Sequence, residues 1–470
     1  MLIKRKRKFI KVVKARLPWI ANLIDEITAP ELNLDPNEIK LKMRSTSPCL
    51  VCKGARALCG KERCPLLLRL ESYVKIASVI RGRELEGSSP PSVFVGRIGY
   101  PYVYAGPLVP PVLGDTSIYD KPESWLSKSI DELVQLRFSL VRGKFPVNAQ
   151  RPRPTPLLER TQELAMAKLS VDSELLFKSR PSKSILLDAN VQPMGPSALL
   201  RDFRVEDAKI DSTIYRYYDA PDVKAKDAVL ELYLRGVSVT QLQHAFSVGC
   251  FGIKVERKLV PTRWSITAVD SILSQHLRDE VIKRFPSISD YLVFESMHAG
   301  RKFLVLMFPS PWSYELIEAW YPKTTWNLDS SEIAICSDSE GYWGRKTYAS
   351  IGGCYYAARL ACCEYLARIK RQASCVVISE AYPGYVLPLG VWHVRELVRD
   401  ALLRGPTKFA DLREALIYAS QRLKTPLDAL LGQSKVLKDF LVQHRLTEFL
   451  KKGYLTESAK RSSHEVAGNL

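Results

Sequence analysis

The segment Cys49-Leu-Val-Cys52-Lys-Gly-Ala-Arg-Ala-Leu-Cys59-Gly-Lys-Glu-Arg-Cys64-Pro65 constrains this chain more than any other. Its four cysteines are spaced C-x2-C, six residues, then C-x4-C. Two such pairs put four soft ligands on turns that can face one ion, the donor set of a structural zinc site. Gly54 and Gly60 supply the positive φ such turns require. Pro48 and Pro65 bracket the loop, and Lys53, Arg56, Lys61 and Arg63 make it basic. The expected ligands are Cys49, Cys52, Cys59 and Cys64, and the expected cofactor is Zn2+. Few apolar residues lie inside the loop, so its folding should depend on the metal. Cys64-Pro65 echoes the end of a ferredoxin-like iron–sulfur run, but the remaining spacing does not follow one. A disulfide pair or four buried thiols is the plain alternative.

Lys and Arg number 69 against 50 Asp and Glu, a formal net charge of +19 over 470 residues. Such a surface attracts polyanions, DNA or RNA before an anionic membrane. No apolar run is long enough to span a bilayer, and no signal-peptide core is present. The expectation is a soluble, cytoplasmic protein with no membrane partner. Cysteines 250, 336, 354, 362, 363 and 375 sit mostly in apolar context, as reduced core thiols do. Near the start, Lys4, Arg5, Lys6, Arg7 and Lys8 form a basic arm, for phosphate contacts or simply a solvated run.

Helical periodicity runs from Leu66 to Ile80 and from Trp125 to Leu140. Between them, strands Ser92–Val95 and Tyr102–Ala105 flank the turn Gly96-Arg97-Ile98-Gly99. That turn is a glycine hairpin or an anion nest holding Arg97; it has neither the Walker ending nor the dinucleotide fingerprint. Tyr100, Tyr102 and Tyr104 share one strand face, as a base-stacking platform or as core. The run Arg142–Pro156 reads as a linker or surface crossing. Helices 222–235 and 238–246 around Gly236 leave a helix-turn-helix open. Pro261-Thr262 opens a helix with Arg263, Thr267 and Asp270 on one face. Strands around Gly300, a polar boundary at 329–340, a helix after Gly352-Gly353, a strand near 375–381 and a helix at 389–403 follow.

A phosphate or nucleotide pocket around Arg97, Arg263 and Asp270 is the sharpest binding hypothesis, pictured as an apolar cleft between the 96–99 turn and the 261–270 helix. Candidates for chemistry are Arg263, Asp270, Glu295, His298, Glu380, His393 and Glu396, which could hold a metal for phosphodiester cleavage. None has nuclease spacing, and no nucleophile elbow or HExxH is present. The reading leans away from an enzyme.

The cysteine loop, PSVFVGRIGYPYVYAGPL, QELAMAKLSVD, QPMGPSA, ERKLVPTRWSITAVD, GGCYYAARLACCEYLARIKRQAS and PLGVWHVRELVRDAL together resemble the archaeal Nre family of DNA repair proteins. The matching stretches span residues 45 to 405, without the N-terminal arm. The resemblance implies a DNA repair role, zinc-ligand roles for Cys49, Cys52, Cys59 and Cys64, and recruitment to the PCNA sliding clamp by a terminal peptide. It implies no particular reaction. Gln443, Leu446, Phe449 and Leu450 fit the clamp-binding pattern, with Leu450 where an aromatic is usual. In a one-turn 3-10 helix, Leu446 and Phe449 would form one apolar plug. The same residues also fit the stripe of an ordinary amphipathic helix. Ser434, Leu437, Phe440 and Leu441 form a poorer copy.

The expected fold is α+β, a mixed globular core with an N-terminal zinc knuckle and a flexible C-terminal peptide tail. The expected division is a basic arm at 1–40, the knuckle at 41–70, a core domain at 71–335, a second domain at 336–425 and the tail at 426–470. The expected function is a DNA repair factor that binds DNA through basic surfaces and the knuckle, is recruited to PCNA, and can meet other repair proteins. An enzyme acting on damaged DNA or a nucleotide, and an RNA-binding protein, are the alternatives.

Overall fold

A computed structural model describes residues 39–42, 52, 64–80, 82–181, 183–186, 195–324, 326–327, 331–386 and 388–442. In chain order its elements are β1 (Ile39–Lys42), α1 (Pro65–Val79), β2 (Glu84–Ser89), β3 (Val93–Val95), β4 (Tyr102–Val109), α2 (Ile130–Ser139), β5 (Val141–Asn148) and α3 (Pro156–Ala165). Then come β6 (Val171–Phe177), β7 (Lys183–Leu186), β8 (Ser197–Val205), α4 (Ser212–Asp219), α5 (Ala225–Leu234), α6 (Val239–Ser247) and α7 (Thr262–His276). Strands β9 (Tyr291–His298), β10 (Arg301–Phe308), β11 (Ser313–Trp320) and β12 (Ala334–Glu340) precede α8 (Gly353–Ile369). The chain closes with β13 (Ser374–Ala381), α9 (Val391–Arg404), β14 (Thr407–Phe409), α10 (Leu412–Arg422), α11 (Leu427–Gln433) and α12 (Lys435–Val442). The α+β expectation holds.

Local chemistry sets many boundaries. Ser129 and Glu132 form a reciprocal capping box at α2. Thr155 caps α3, with Pro156 pre-set at its first position. Ser238 caps α6 through the Gln241 N–H. The β9–β10 hairpin turns through Ala299 and Gly300, both at positive φ, as a two-residue loop matching strand twist requires.

The strands form two six-stranded sheets, plus a parallel pair of β1 with β7. The first sheet runs β2-β6-β8-β5-β4-β3, antiparallel except where β5 meets β8. The second runs β12-β11-β13-β10-β9-β14, antiparallel except where β11 meets β13. It takes β9, β10 and β11 from before residue 321 and β12, β13 and β14 from after residue 333.

The second sheet is covered on both faces. Along β10, Phe303, Val305 and Met307 enter the main core with α8 and α9. Leu304, Leu306 and Phe308 enter a separate core with α10, α11 and α12. On the first sheet, Val95, Val103, Phe145, Leu175, Leu200 and Phe203 join the main core; on the opposite face, among the described residues, Leu108 is buried whereas Tyr102, Tyr104, Leu199 and Arg201 are exposed.

Several sequence readings change. Residues 141–148 are not a linker but the strand β5, inside the first sheet. The polar stretch before Glu340 contains the edge strand β12. Helix α6 buries Val239, Thr240, Leu242, Gln243, Ala245 and Ser247, leaving no free face to enter a DNA groove, so the helix-turn-helix reading is withdrawn. Among the described residues, no helix is long and apolar enough to cross a membrane.

Candidate nucleic-acid interface

The outward face of the first sheet carries, among the described residues, a set of exposed aromatic and cationic side chains. On β4, Val103 and Ala105 point inward while Tyr102 and Tyr104 alternate outward. Tyr102 is 73% exposed and Tyr104 46%. Across the ladder Tyr102 pairs with Asn148 and Tyr104 with the exposed Pro146. The Lys144 ammonium lies 5.6 Å from the centre of the Tyr104 ring, and the Arg142 guanidinium 5.5 Å from that of Phe94. Lys144 in turn pairs with the exposed Leu199 on β8, and Arg201 is exposed two residues on.

These cations are held near one another. Burial and the neighbouring Arg142 charge push the Lys144 ammonium below its usual range. Burial, with Arg137, pushes Arg142 down to about 10. An anion brought to this face would relieve both effects. Glycines keep the strands close: a Cβ on Gly106, at φ +154°, would lie 2.0 Å from the Gly143 carbonyl oxygen.

The patch continues to the hairpin tip. Arg97 is exposed there, and Ile98 is 89% exposed. The tip meets the start of α7, where the Thr262 hydroxyl accepts from the Val95 N–H at 2.8 Å. The Tyr100 and Trp264 rings sit 5.1 Å apart, both partly exposed. Arg97 and Arg263 therefore stand on neighbouring elements, each open to solvent. The contact between turn and helix is a pair of solvent-facing aromatic rings.

Asp270 does not join them. It is fully buried, accepting from Arg395 at 2.9 and 3.1 Å and from the Gln243 amide at 2.9 Å. Burial raises its carboxyl despite Arg395. The other carboxylate candidates for chemistry are likewise engaged, Glu396 and Glu380 in buried networks and Glu295 in a partly exposed one. Glu396 binds Arg395 and Arg399, and Arg399 reaches Glu364. Glu380 accepts from the Lys424 and Thr425 N–H groups, the Thr425 hydroxyl and the Tyr382 phenol. Glu295 pairs with Lys302 and Arg422.

His298 and His393 form a chain whose protons can be assigned. The Lys128 carbonyl only accepts, so the His298 Nε2–H donates to it at 2.7 Å. His298 Nδ1 then accepts from the His393 Nε2–H at 2.9 Å. That leaves His393 Nδ1 a buried acceptor with no hydrogen-bond partner. Burial, with the nearby Arg301 charge, holds His393 well below the usual imidazole range.

A second ion network joins the two halves of the chain. Glu340 accepts from Arg278 at 2.9 Å and from Arg359 at 2.6 Å, all three buried. Arg278 precedes residue 335, whereas Glu340 and Arg359 follow it.

Of the four cysteines expected to hold zinc, Cys52 is buried and Cys64 stands at the start of α1. Cys49 and Cys59 lie outside the described residues, as do Lys4, Arg5, Lys6, Arg7, Lys8, Gln443, Leu446, Phe449 and Leu450. Among the described residues, no group of three or more potential ligands could hold a metal ion. The poorer clamp-like frame is occupied: Ser434 and Leu437 are buried, and Phe440 packs 4.9 Å from Phe308. Lys144, Arg142, Arg201 and Trp264 escaped the sequence reading. The signal for the first two was alternation along β5, with Val141, Gly143, Phe145 and Val147 opposing Arg142, Lys144, Pro146 and Asn148.

Comparison with known proteins agrees with the motif reading. The family model for the archaeal Nre N-terminal region matches residues 58–327, and that for the Nre C-terminal region matches residues 340–449. A protein named DNA repair protein NreB from Archaeoglobus fulgidus is 40% identical over 391 residues, covering 83% of this chain and 97% of that protein. NreA from the same organism, also named a DNA repair protein, is 40% identical over 380 residues, covering 80% of this chain and 94% of its own length. DNA repair protein NreA from Haloferax volcanii is 33% identical over 359 residues, covering 74% and 85%. No solved structure matches. With two family models spanning most of its length and relatives matched nearly end to end, this chain belongs to the archaeal Nre family.

Proposed function

We propose that this protein is a DNA repair factor that contacts DNA through the open face of its first sheet, aided by the basic arm Lys4–Lys8. The observation that carries this reading is the aromatic and cationic face around Tyr102, Tyr104 and Lys144, in a chain whose relatives are named DNA repair proteins. The net charge of +19 supports it, because phosphate contacts supply most sequence-independent affinity. The test is fluorescence anisotropy of labelled DNA across a salt series. Affinity should fall steeply between about 50 and 200 mM salt, and a chain lacking residues 1–16 should show a shallower slope. Salt-independent binding would overturn the reading.

The finer parts of the proposal rest on sequence. One zinc ion is held by Cys49, Cys52, Cys59 and Cys64; elemental analysis of the wild type and of the Cys52→Ser/Cys64→Ser variant tests this. PCNA is bound through Gln443, Leu446, Phe449 and Leu450. Peptide 438–455 should bind the clamp, and its Phe449→Ala form should not. Equal binding by both would remove the clamp from the proposal.

A further inference from the structure

The first sheet is polarised along its strand order. Its β5 and β8 strands present Arg142, Lys144 and Arg201. Towards its end β8 carries Asp202 and Arg204, which pair with each other and, through Arg204, with Glu174. The far strands β2 and β6 present Glu84, Glu86, Asp172 and Glu174. A polyanion on this face is thus drawn to the β3-β4-β5-β8 half and repelled from the β6-β2 border. The aromatic residues lie on the cationic half.

What a phosphate backbone brings with it decides the ligand. In a duplex, each base has its two π-faces covered by neighbours, and the strand advances about 3.4 Å per nucleotide. Tyr102 and Tyr104, two residues apart on one strand face, are separated by about 6.8 Å along β4. Rings at that spacing, standing out of a pleated surface, cannot reach the covered π-faces of a stacked helix. They do match unpaired bases, which every sequence offers and which stack on aromatic side chains. Lys144 beside the Tyr104 ring and Arg201 beyond it then stand where the phosphates of such a strand would pass. The Tyr100–Trp264 pair and Arg97 extend the track past the hairpin tip.

We propose that this half-face is a binding track for single-stranded DNA, with Tyr102 and Tyr104 as base-stacking rings and Lys144, Arg201 and Arg97 as phosphate contacts. The inference rests on the reading that the protein contacts DNA, and adds which form of DNA and which residues.

The experiment uses the full chain, with anisotropy of labelled oligo-dT of twenty nucleotides, a duplex of the same length, and oligo-rU. The variants are Tyr102→Ala/Tyr104→Ala, Tyr102→Phe/Tyr104→Phe and Lys144→Ala. The tyrosines are exposed, so thermal melts should match the wild type, and the phenylalanine form controls for folding. Wild type should bind oligo-dT at least tenfold more tightly than duplex. The double alanine variant should lose about tenfold or more on oligo-dT and less than twofold on duplex. The double phenylalanine variant should keep wild-type affinity, and Lys144→Ala should weaken binding and lower the salt slope. Duplex preference, or an alanine variant that binds oligo-dT like the wild type, overturns the track but leaves DNA contact standing. Tighter binding to oligo-rU overturns DNA as the ligand. No binding to any probe at low salt overturns the track and the DNA-contact reading together.

Discussion

The two six-stranded sheets of this protein meet solvent in opposite ways. In the second sheet every residue of β13 is buried, and all but the first of β11. Charges that enter that layer, or the helices behind it, are matched internally. Some meet an opposite charge, as in Asp270 with Arg395, Glu340 with Arg278 and Arg359, and Arg301 with Glu318. Others meet N–H and hydroxyl donors, as Glu380 and Glu315 do. In the first sheet β4 exposes Tyr102 and Tyr104, and the β5 cations Arg142 and Lys144 lie over the Phe94 and Tyr104 rings. A buried charge must be matched inside the protein because desolvation is costly. A partly exposed cation over a ring face, such as Lys144, still meets solvent. One sheet thus keeps its charges matched inside the protein, whereas the other leaves cations beside exposed rings.

The sharpest way to break this contrast is Arg395→Ala. It leaves Asp270 buried without its cation and should cost about 3–5 kcal/mol in urea denaturation; a loss below about 1 kcal/mol would show that the interior pairs are not structural. Gly300→Ala comes next. At φ +80° its Cβ would lie 2.4 Å from the Tyr385 nitrogen, so about 1–3 kcal/mol should be lost to strain.

The pH profile sharpens the comparison further. His393 is held neutral when folded and ionises normally when unfolded, so the unfolded chain takes up the extra proton. Its contribution is complete above about pH 6.5 and falls by up to about 1.4 kcal/mol per unit as pH drops below that value. His393→Gln should flatten this slope in denaturation curves collected from pH 7 to 5. A wild-type curve already flat there would mean the imidazole is not kept neutral. The smallest change is expected on the open sheet, where Tyr102→Ala should shift stability by no more than about 0.5 kcal/mol. A larger shift in thermal melts would mean that this face is packed rather than free.

The same contrast explains what could be read from sequence. Three strands of the second sheet, β9, β10 and β13, announced themselves: RKFLVLMF and SCVVISEA are apolar runs, and the turn at Gly300 was visible. β11, β12 and β14 were not read as strands. Helices α7, α8 and α9 were also legible, through Pro261-Thr262, Gly352-Gly353 and their periodic apolar residues. β5 was not, because Gly143 and Pro146 read as breakers and Arg142 and Lys144 as linker charge. The charges that disguised the strand are those that make the candidate interface. Tyr102 and Tyr104 were seen, but solvent exposure could not be decided from alternation alone. Asp270 was misplaced for the reverse reason. Its partner Arg395 lies 125 residues away, and no local pattern reveals a buried pair at that separation.

The order of strands in the second sheet has a consequence for how the chain is made. β13 lies between β10 and β11, although it is synthesised after both. A growing chain that has delivered β10 and β11 therefore holds two apolar strands that lack the neighbour meant to separate them. That slot stays unfilled until residue 381 has left the ribosome. Strand pairing across such sequence distances is slow and exposes sticky edges. A messenger cut short between residues 320 and 374 would yield not a smaller working protein but a product prone to aggregate, and a chaperone would find its task in that window of synthesis.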